Sequence, residues 1–205
     1  MPEAMPDILP TYDPALLRQR RGKFAYGAIV WGAMAWSVVA ISPTGVAMAE
    51  TATGATVGAS GLPVPRFVSL KSDRVNLRAG PSTDYPTAWI FRRAGLPVEV
   101  IRESDGWRQV RDAEGATGWV LQSMLSGRRT ALVLPWEAKP GAKLPELDLR
   151  QSDSDSAIAV AKIEAGVIAS VRACDKRWCQ ISVGDFKGYV EQKKLWGVYD
   201  GEVVK

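Results

Sequence analysis

The chain carries one series of short motifs twice, and this repeat restricts the folds that it can adopt. Five blocks of the first half recur in the same order about 70–72 residues later. The paired blocks are VNLRAGPS (75–82) with LDLRQS (147–152), GLPV (95–98) with GVIA (166–169), WRQV (107–110) with WCQI (178–181), GWV (118–120) with GYV (188–190), and Leu125 with Leu195. Small changes of offset are typical of loops that differ in length. The repeat therefore predicts two copies of one small domain.

Local patterns indicate that each copy is built from short strands. The β-rich runs VEVI (98–101) and QVR (109–111) flank the segment ESDG (103–106), which is a hairpin-turn signal. A second turn signal, AEG (113–115), precedes GWV. Strands at this spacing suggest a small barrel, and the best helical candidate after residue 50 is one turn near residues 122–125.

The order of motifs in the first copy resembles the bacterial SH3-like (SH3b) domain. The residues that carry the resemblance are Asn76, Leu77, Arg78, Gly80, Pro81, Ser82, Tyr85, Gly95, Gly106, Trp107, Val110, Gly118, Trp119 and Val120. The second copy departs from the pattern, because Asp148 replaces Asn76 and SDS (152–154) replaces GPS (80–82). We therefore expect an all-β chain with two small SH3-like barrels in tandem, the second of them divergent.

The predicted domain boundaries follow from the repeat and from composition. Residues 66–127 form the first SH3-like domain, residues 128–199 the second, and residues 200–205 a tail. Residues 50–65 are small, rich in Gly and Pro and almost uncharged, which is typical of a flexible linker.

The N-terminus has the organisation of an export signal. The basic run RQRRGK (18–23) precedes eighteen uncharged residues (24–41), and Ala47-Met48-Ala49 provides a small-x-small cleavage site. We expect residues 1–49 to be a signal peptide cleaved after Ala49, so that the protein is periplasmic or secreted. The alternative is an uncleaved inner-membrane anchor facing the periplasm, because eighteen apolar residues can just span a bilayer.

Composition narrows the possible activities. The chain has no histidine and two cysteines, so Ser-His-Asp and Cys-His catalysis and the usual zinc sites are excluded. Lys and Arg residues are scattered, which argues against a nucleic-acid stripe. We expect no enzyme activity, no cofactor, no metal and no nucleic-acid partner, and contact with a membrane only through an uncleaved N-terminal segment.

Two groups of residues are candidates for function and for the fold. Ligand-binding candidates are Arg78, whose planar guanidinium suits a carboxylate, and Tyr85, Trp89 and Arg92, which follow it in the chain. Tyr85 and Trp89 are expected in an exposed loop. The residues assigned to the structural motif are Asn76, Gly80, Pro81, Trp107, Gly118, Trp119, Trp178 and Tyr189. For Asn76 we expect a hydrogen bond to turn backbone.

The hexapeptide CDKRWC (174–179) contains both cysteines. The repeat places Cys174 opposite Glu103 and Cys179 opposite Arg108, on either side of one hairpin turn. An oxidising compartment and facing hairpin positions favour a Cys174–Cys179 disulfide over a redox or metal site.

The resemblance implies a protein that works by binding, with peptidoglycan, a short peptide or an envelope protein as its partner. The alternative is a periplasmic interaction scaffold without affinity for the wall. These readings differ in whether Tyr85 and Trp89 stand exposed beside an open groove or lie beneath the second domain.

Overall fold

The described part of the chain is built from strands and tight turns. A computed structural model describes residues 56–139 and 141–205. The predicted signal peptide, its cleavage site and residues 50–55 of the predicted linker lie outside these residues. Within them there is no α-helix, and three 3₁₀ turns occupy Gln122–Met124, Pro135–Glu137 and Gln192–Lys194. No helix in these segments is both long and apolar enough to cross a bilayer. The predicted all-β class is confirmed here.

Three antiparallel sheets contain the strands. The strands of the first half are β1 (Thr56–Val57), β2 (Pro63–Val64), β3 (Arg66–Leu70), β4 (Val75–Arg78), β5 (Thr87–Phe91), β6 (Pro97–Ser104), β7 (Trp107–Arg111), β8 (Thr117–Leu121) and β9 (Leu125–Ser126). Those of the second half are β10 (Thr130–Val133), β11 (Glu146–Arg150), β12 (Ala159–Glu164), β13 (Ile168–Asp175), β14 (Trp178–Val183), β15 (Phe186–Glu191), β16 (Leu195–Trp196) and β17 (Val203–Val204).

The two larger sheets share one topology. The first has the order β5-β4-β8-β7-β6-β3-β9, and the second has β12-β11-β15-β14-β13-β10-β16, with β17 added beside β13. Register irregularities also recur, between Val100 and Arg102 in β6 and between Val171 and Ala173 in β13. We call the units containing these sheets domain one (66–126) and domain two (130–204). The duplication seen in sequence is therefore a duplication of strand order.

Each domain encloses its own apolar core. Strand β4 alternates between buried Val75 and Leu77 and the more accessible Asn76 and Arg78, as expected for a strand with one face inward. The buried core of domain one comprises Val68, Leu70, Val75, Leu77, Phe91, Val98, Val100, Val110 and Val120. Domain two places Leu149, Ile181 and Val190 at the positions of Leu77, Val110 and Val120.

Hydrogen bonds and aromatic contacts connect the two domains directly. The Thr130 hydroxyl donates a buried hydrogen bond of 2.7 Å to the Gly95 carbonyl. The Phe67 ring packs against Trp196 and Tyr199, with centroids 5.2 and 4.7 Å apart. The Tyr199 hydroxyl donates to a Glu99 carboxylate oxygen at 3.0 Å. Burial and the charge of Glu99 raise the pKa of Tyr199, so this hydroxyl keeps its proton.

Segments at both ends of the described region differ from the prediction. Residues 56–64 form the hairpin β1–β2, and Ser60 in its turn donates backbone and hydroxyl hydrogen bonds to Glu103. This part of the predicted linker is thus attached to domain one. At the other end, β17 lies in the predicted tail, and Cys174 and Asp175 pair with it. The tail therefore completes the sheet of domain two.

Candidate functional site

A shallow concavity of about 180 Å³, which we call groove one, lies on domain one. It is lined from the residue before β4, from β4 itself and the loop after it, and from the start of β7, the end of β8 and the following 3₁₀ turn. The lining residues are Arg74, Val75, Asn76, Arg78, Thr83, Trp107, Leu121 and Met124. Groove one thus combines two arginines, two neutral polar residues and four apolar residues, and no carboxylate lines it.

Domain two has a concavity of about 230 Å³, which we call groove two. Its lining residues are Glu146, Leu147, Asp148, Arg150, Asp155, Trp178 and Glu191. Four of the seven carry carboxylates and one is an arginine. Groove two is therefore acidic where groove one is basic.

The two grooves are the same place in the duplicated fold. Each residue of groove two stands 70–72 positions after a residue that lines groove one. Strand pairing agrees, because Trp107 faces Leu121 in domain one and Trp178 faces Glu191 in domain two. The shared features are an indole and an arginine, and the charged side chains around them differ.

Arg78, the last residue of strand β4, supports the wall of groove one as well as lining it. Arg78 Nη1 donates to the carbonyls of Thr83 and Tyr85 at 3.0 and 2.7 Å. Arg150, its counterpart, donates from Nη1 to the Ala157 carbonyl at 2.7 Å. In both domains this arginine holds the loop that follows the motif strand. Arg78, a predicted ligand-binding candidate, therefore also has a structural role.

Tyr85 lies in the loop that Arg78 holds, and its ring covers Gly80. A Cβ placed on Gly80 would lie 2.6 Å from the Tyr85 ring, so a larger residue there would displace the ring. Tyr85 is nevertheless 48% exposed, as the sequence predicted. It stands beside groove one and does not line it.

The other two ligand-binding candidates also lie away from the groove lining. Trp89 is 41% exposed, but it belongs to strand β5, where it faces Leu77, and not to the loop in which it was expected. Arg92 is exposed immediately after β5. Of the four candidates, the structure brings only Arg78 into groove one.

The structural-motif residues divide between groove and core. Asn76 lines the groove and is exposed, and its side chain has no hydrogen-bond partner among residues 56–139 and 141–205, contrary to the expected turn contact. Trp107 is half-buried in the groove wall. Trp119 and Trp178 are buried. Trp107, which the sequence assigned to the structural motif, therefore also lines the groove.

Domain one closes its hairpin with a buried carboxylate. Glu103 is paired with Arg108 in the β6–β7 register, and its side chain is 1% exposed. Its carboxylate lies 2.7 Å from Arg66 Nη2 and 3.1 Å from Arg108 Nε. Burial alone would raise the pKa of Glu103, but the hydrogen bonds from Ser60 and the Arg66 guanidinium outweigh it and lower the pKa to about 2.

Domain two closes the same hairpin covalently. Cys174 and Cys179 are directly paired in the β13–β14 register and form a disulfide, as the repeat predicted. The adjoining turn is fixed by Asp175, whose carboxylate accepts hydrogen bonds from the backbone N–H groups of Arg177 and Trp178. These bonds lower the pKa of Asp175.

Removing the disulfide should weaken domain two by a small amount. The bond closes a loop with a sequence separation of five residues, for which chain-entropy reasoning gives about 2 kcal/mol. A Cys174→Ala, Cys179→Ala variant should lose this much free energy of unfolding in denaturant titrations. Reduced wild type should match the variant. An equal stability of oxidised and reduced wild type would contradict the assignment.

Sequence reasoning singled out Arg78, Asn76 and Trp107 but missed the other groove residues, which are Arg74, Val75, Thr83, Leu121 and Met124. They come from separate elements that meet only through strand pairing. One feature of the sequence could have indicated the groove. At four positions the two repeats carry residues of different charge, although the surrounding motifs match. The changes are Arg74 to Glu146, Asn76 to Asp148, Thr83 to Asp155 and Leu121 to Glu191.

Together these features define a tandem of small antiparallel β-domains, each with a concave groove beside its motif strand. The family model for the bacterial SH3 domain matches residues 71–127 and 146–197. This chain belongs to the bacterial SH3 domain family, and the resemblance predicted from sequence is confirmed.

Similarities to individual proteins are more distant. The Bacillus subtilis (strain 168) protein named "Putative N-acetylmuramoyl-L-alanine amidase YrvJ" is 25% identical over 127 residues. That alignment covers 60% of this chain and 24% of the relative, so the chain spans about a quarter of that protein.

Among solved structures, NlpC2 from Trichomonas vaginalis is 12% identical with a TM-score of 0.29, over 64% of this chain and 48% of that one. An NlpC/P60 family protein from Bacillus cereus ATCC 10987 is 10% identical with a TM-score of 0.26, over 63% and 55%.

Proposed function

We propose that this protein is a non-enzymatic binding protein of a bacterial cell envelope, periplasmic or secreted, which recognises peptidoglycan or a short peptide through groove one. The observation that carries the proposal is the lining of this groove. Arg74 and Arg78 supply charge-assisted hydrogen-bond donors, and Trp107 supplies an aromatic wall. A peptide ligand presents carboxylates and apolar side chains, which match these two kinds of surface.

Two further observations support a location and a role in the cell envelope. The predicted export signal and the disulfide both fit an oxidising compartment. The relative named as an amidase is named for a bond of N-acetylmuramoyl-L-alanine, and a binding segment shared with it would be useful at peptidoglycan. Tyr85 and Trp89 are exposed and not covered by domain two, which favours binding at an open surface over the packed alternative.

Sedimentation with purified peptidoglycan tests the proposal. The secreted wild type should pellet with the wall, and Arg74→Gln should bind about tenfold more weakly, because one hydrogen bond to a charged group is lost. Arg74 is the sharpest choice, since Arg78 also holds the loop. Arg102→Gln, an exposed arginine of domain one that does not line the groove, should bind like wild type. Wild-type protein that stays in the supernatant would defeat wall binding.

A second candidate function is a periplasmic protein–protein scaffold without wall binding. Exposed apolar side chains of domain two, Ile158, Val160 and Phe186, favour it. Under this alternative the wild type would not pellet with peptidoglycan, and cross-linking in the native envelope would join domain two to a protein.

A further inference from the structure

We propose that the two grooves are not equivalent binding sites: groove one takes a peptide carboxylate, and the carboxylates of groove two bar that ligand from the second copy. This inference rests on the function proposed above and names its ligand chemistry. It also assigns the four lining acids, Glu146, Asp148, Asp155 and Glu191, as residues that determine specificity. The tandem would then bind one anionic ligand and not two.

The groove shape does not distinguish the domains. Both concavities lie against the motif strand, both have the arginine that holds the adjoining loop, and both have an indole at corresponding positions, Trp107 and Trp178. Their volumes are similar, about 180 and 230 Å³. Trp178 is buried and Trp107 is half-buried, so the grooves share their position, size and arginine, and their indoles differ in access.

The charges do distinguish them. A carboxylate entering groove one meets Arg74 and Arg78 and no lining acid. A carboxylate entering groove two would meet Glu146, Asp148, Asp155 and Glu191, with Arg150 as the only lining base. Like charges brought together at a partly desolvated surface disfavour binding, and this is how a site rejects one class of ligand.

The acids of groove two also have basic partners, and these do not cancel the effect. Glu146 pairs with Lys162 at 3.2 Å, Glu191 with Lys193 at 3.1 Å and Asp155 with Arg177. All three basic side chains are about two-thirds exposed and lie outside the groove lining. Such surface pairs are weak and screened by salt, so the groove wall itself remains acidic.

Arg150 is less available to a ligand than Arg78. Its Nη1 donates to the loop, and its Nη2 lies 3.6 Å from the carboxylate of Asp148. In domain one the position of Asp148 is taken by the neutral Asn76. The one arginine of groove two therefore has a carboxylate of its own strand nearby, and Arg78 has none at that position.

The indole N–H signals of Trp107 and Trp178 allow each groove to be observed separately by ¹⁵N NMR. The probe is acetyl-trialanine with a free terminal carboxylate, and its control is the same peptide with a terminal amide. In the wild type, the acid should shift the Trp107 signal and leave that of Trp178 in place. The amide should require at least a tenfold higher concentration to shift Trp107.

A charge transplant provides the reciprocal test. The variant carries Glu146→Arg, Asp148→Asn, Asp155→Thr and Glu191→Leu, which give groove two the residues that groove one has at positions 74, 76, 83 and 121. The acid peptide should now shift Trp178 over the same concentration range as Trp107. An unchanged dispersion of the remaining indole signals will show that the variant is folded.

The outcomes separate this inference from the proposed function. Equal shifts of both indoles in the wild type, or a folded transplant without a Trp178 response, would overturn the inference and leave wall binding intact. Sedimentation with the wall but no response to the acid peptide would also overturn it. Absence of both sedimentation and peptide response would instead defeat the proposed function.

Discussion

Replacing Glu103 with glutamine is expected to lower the free energy of unfolding by about 3 kcal/mol, because the substitution leaves buried positive charge without a partner. The Arg108 side chain is only 4% exposed, and its Nη groups are held by the carbonyls of Asp105 and Trp107 and by Gln122. It therefore cannot move into solvent without losing those bonds. Denaturant unfolding followed by circular dichroism will measure the loss.

A matched control is Glu114→Gln, which removes a carboxylate from an exposed turn of the same domain. It should change stability by less than about 0.5 kcal/mol, as expected for surface positions. Similar losses for the two variants would show that the Glu103 carboxylate does not stabilise the hairpin.

The difference in unfolding free energy between wild type and Glu103→Gln should depend on pH. The pKa of Glu103 falls from 4.5 to about 2 on folding, so its contribution is complete above pH 4.5 and disappears as the pH falls toward 2. The stability difference between wild type and Glu103→Gln should therefore shrink between pH 4.5 and 2. A difference that stays constant across this range would contradict the depressed pKa.

The second large effect is expected at Gly188. A Cβ there would lie 2.4 Å from the Arg150 carbonyl oxygen and 2.7 Å from Leu149 Cγ. The nearest atom is backbone of the paired strand, which cannot rotate away, so Gly188→Ala should cost about 3 kcal/mol, at the upper end of overpacking effects. The measurement is the unfolding free energy of domain two.

The repeat supplies graded controls for this substitution. At Gly118 a Cβ would first meet the Leu77 side chain at 2.5 Å, with backbone no closer than 3.0 Å, so Gly118→Ala should cost less than Gly188→Ala. Gly127 has no atom within 4 Å of a Cβ, and Gly127→Ala should be close to neutral. A reversed order of Gly188 and Gly118 would show that the strands relax more easily than the geometry indicates.

Local sequence signals predicted the fold well where neighbouring residues determine the structure. The Asp105-Gly106 turn forms between β6 and β7, with Asp105 at φ +43°. The repeat also gave the correct partners for Cys174 and Cys179, because strand register is inherited with the duplicated hairpin. The predicted single turn near residues 122–125 is the 3₁₀ turn Gln122–Met124.

The sequence was less informative where distant segments meet. Ser60 contacts Glu103 across 43 residues, and no local pattern marks a short Gly-rich segment as the partner of a buried acid. Arg74 and Met124 share groove one only because the segment before β4 and a 3₁₀ turn come together in the folded domain. Trp89 was misplaced because strand β5 begins two residues before it, directly after the loop.

The two domains secure one hairpin position by different chemistry, and they therefore have different weaknesses. In domain one, the ion pair between Glu103 and Arg108 links the two strands of the hairpin. In domain two, the disulfide between Cys174 and Cys179 links the corresponding strands. Acidification protonates Glu103 and weakens the ion pair, whereas a thiol reductant cleaves the disulfide. Acid also protonates Asp175 in the domain-two turn, but it leaves the covalent bond between the two strands intact. Neither stress alone therefore breaks both links, and the tandem tolerates a change in one property of its surroundings better than two identical copies would.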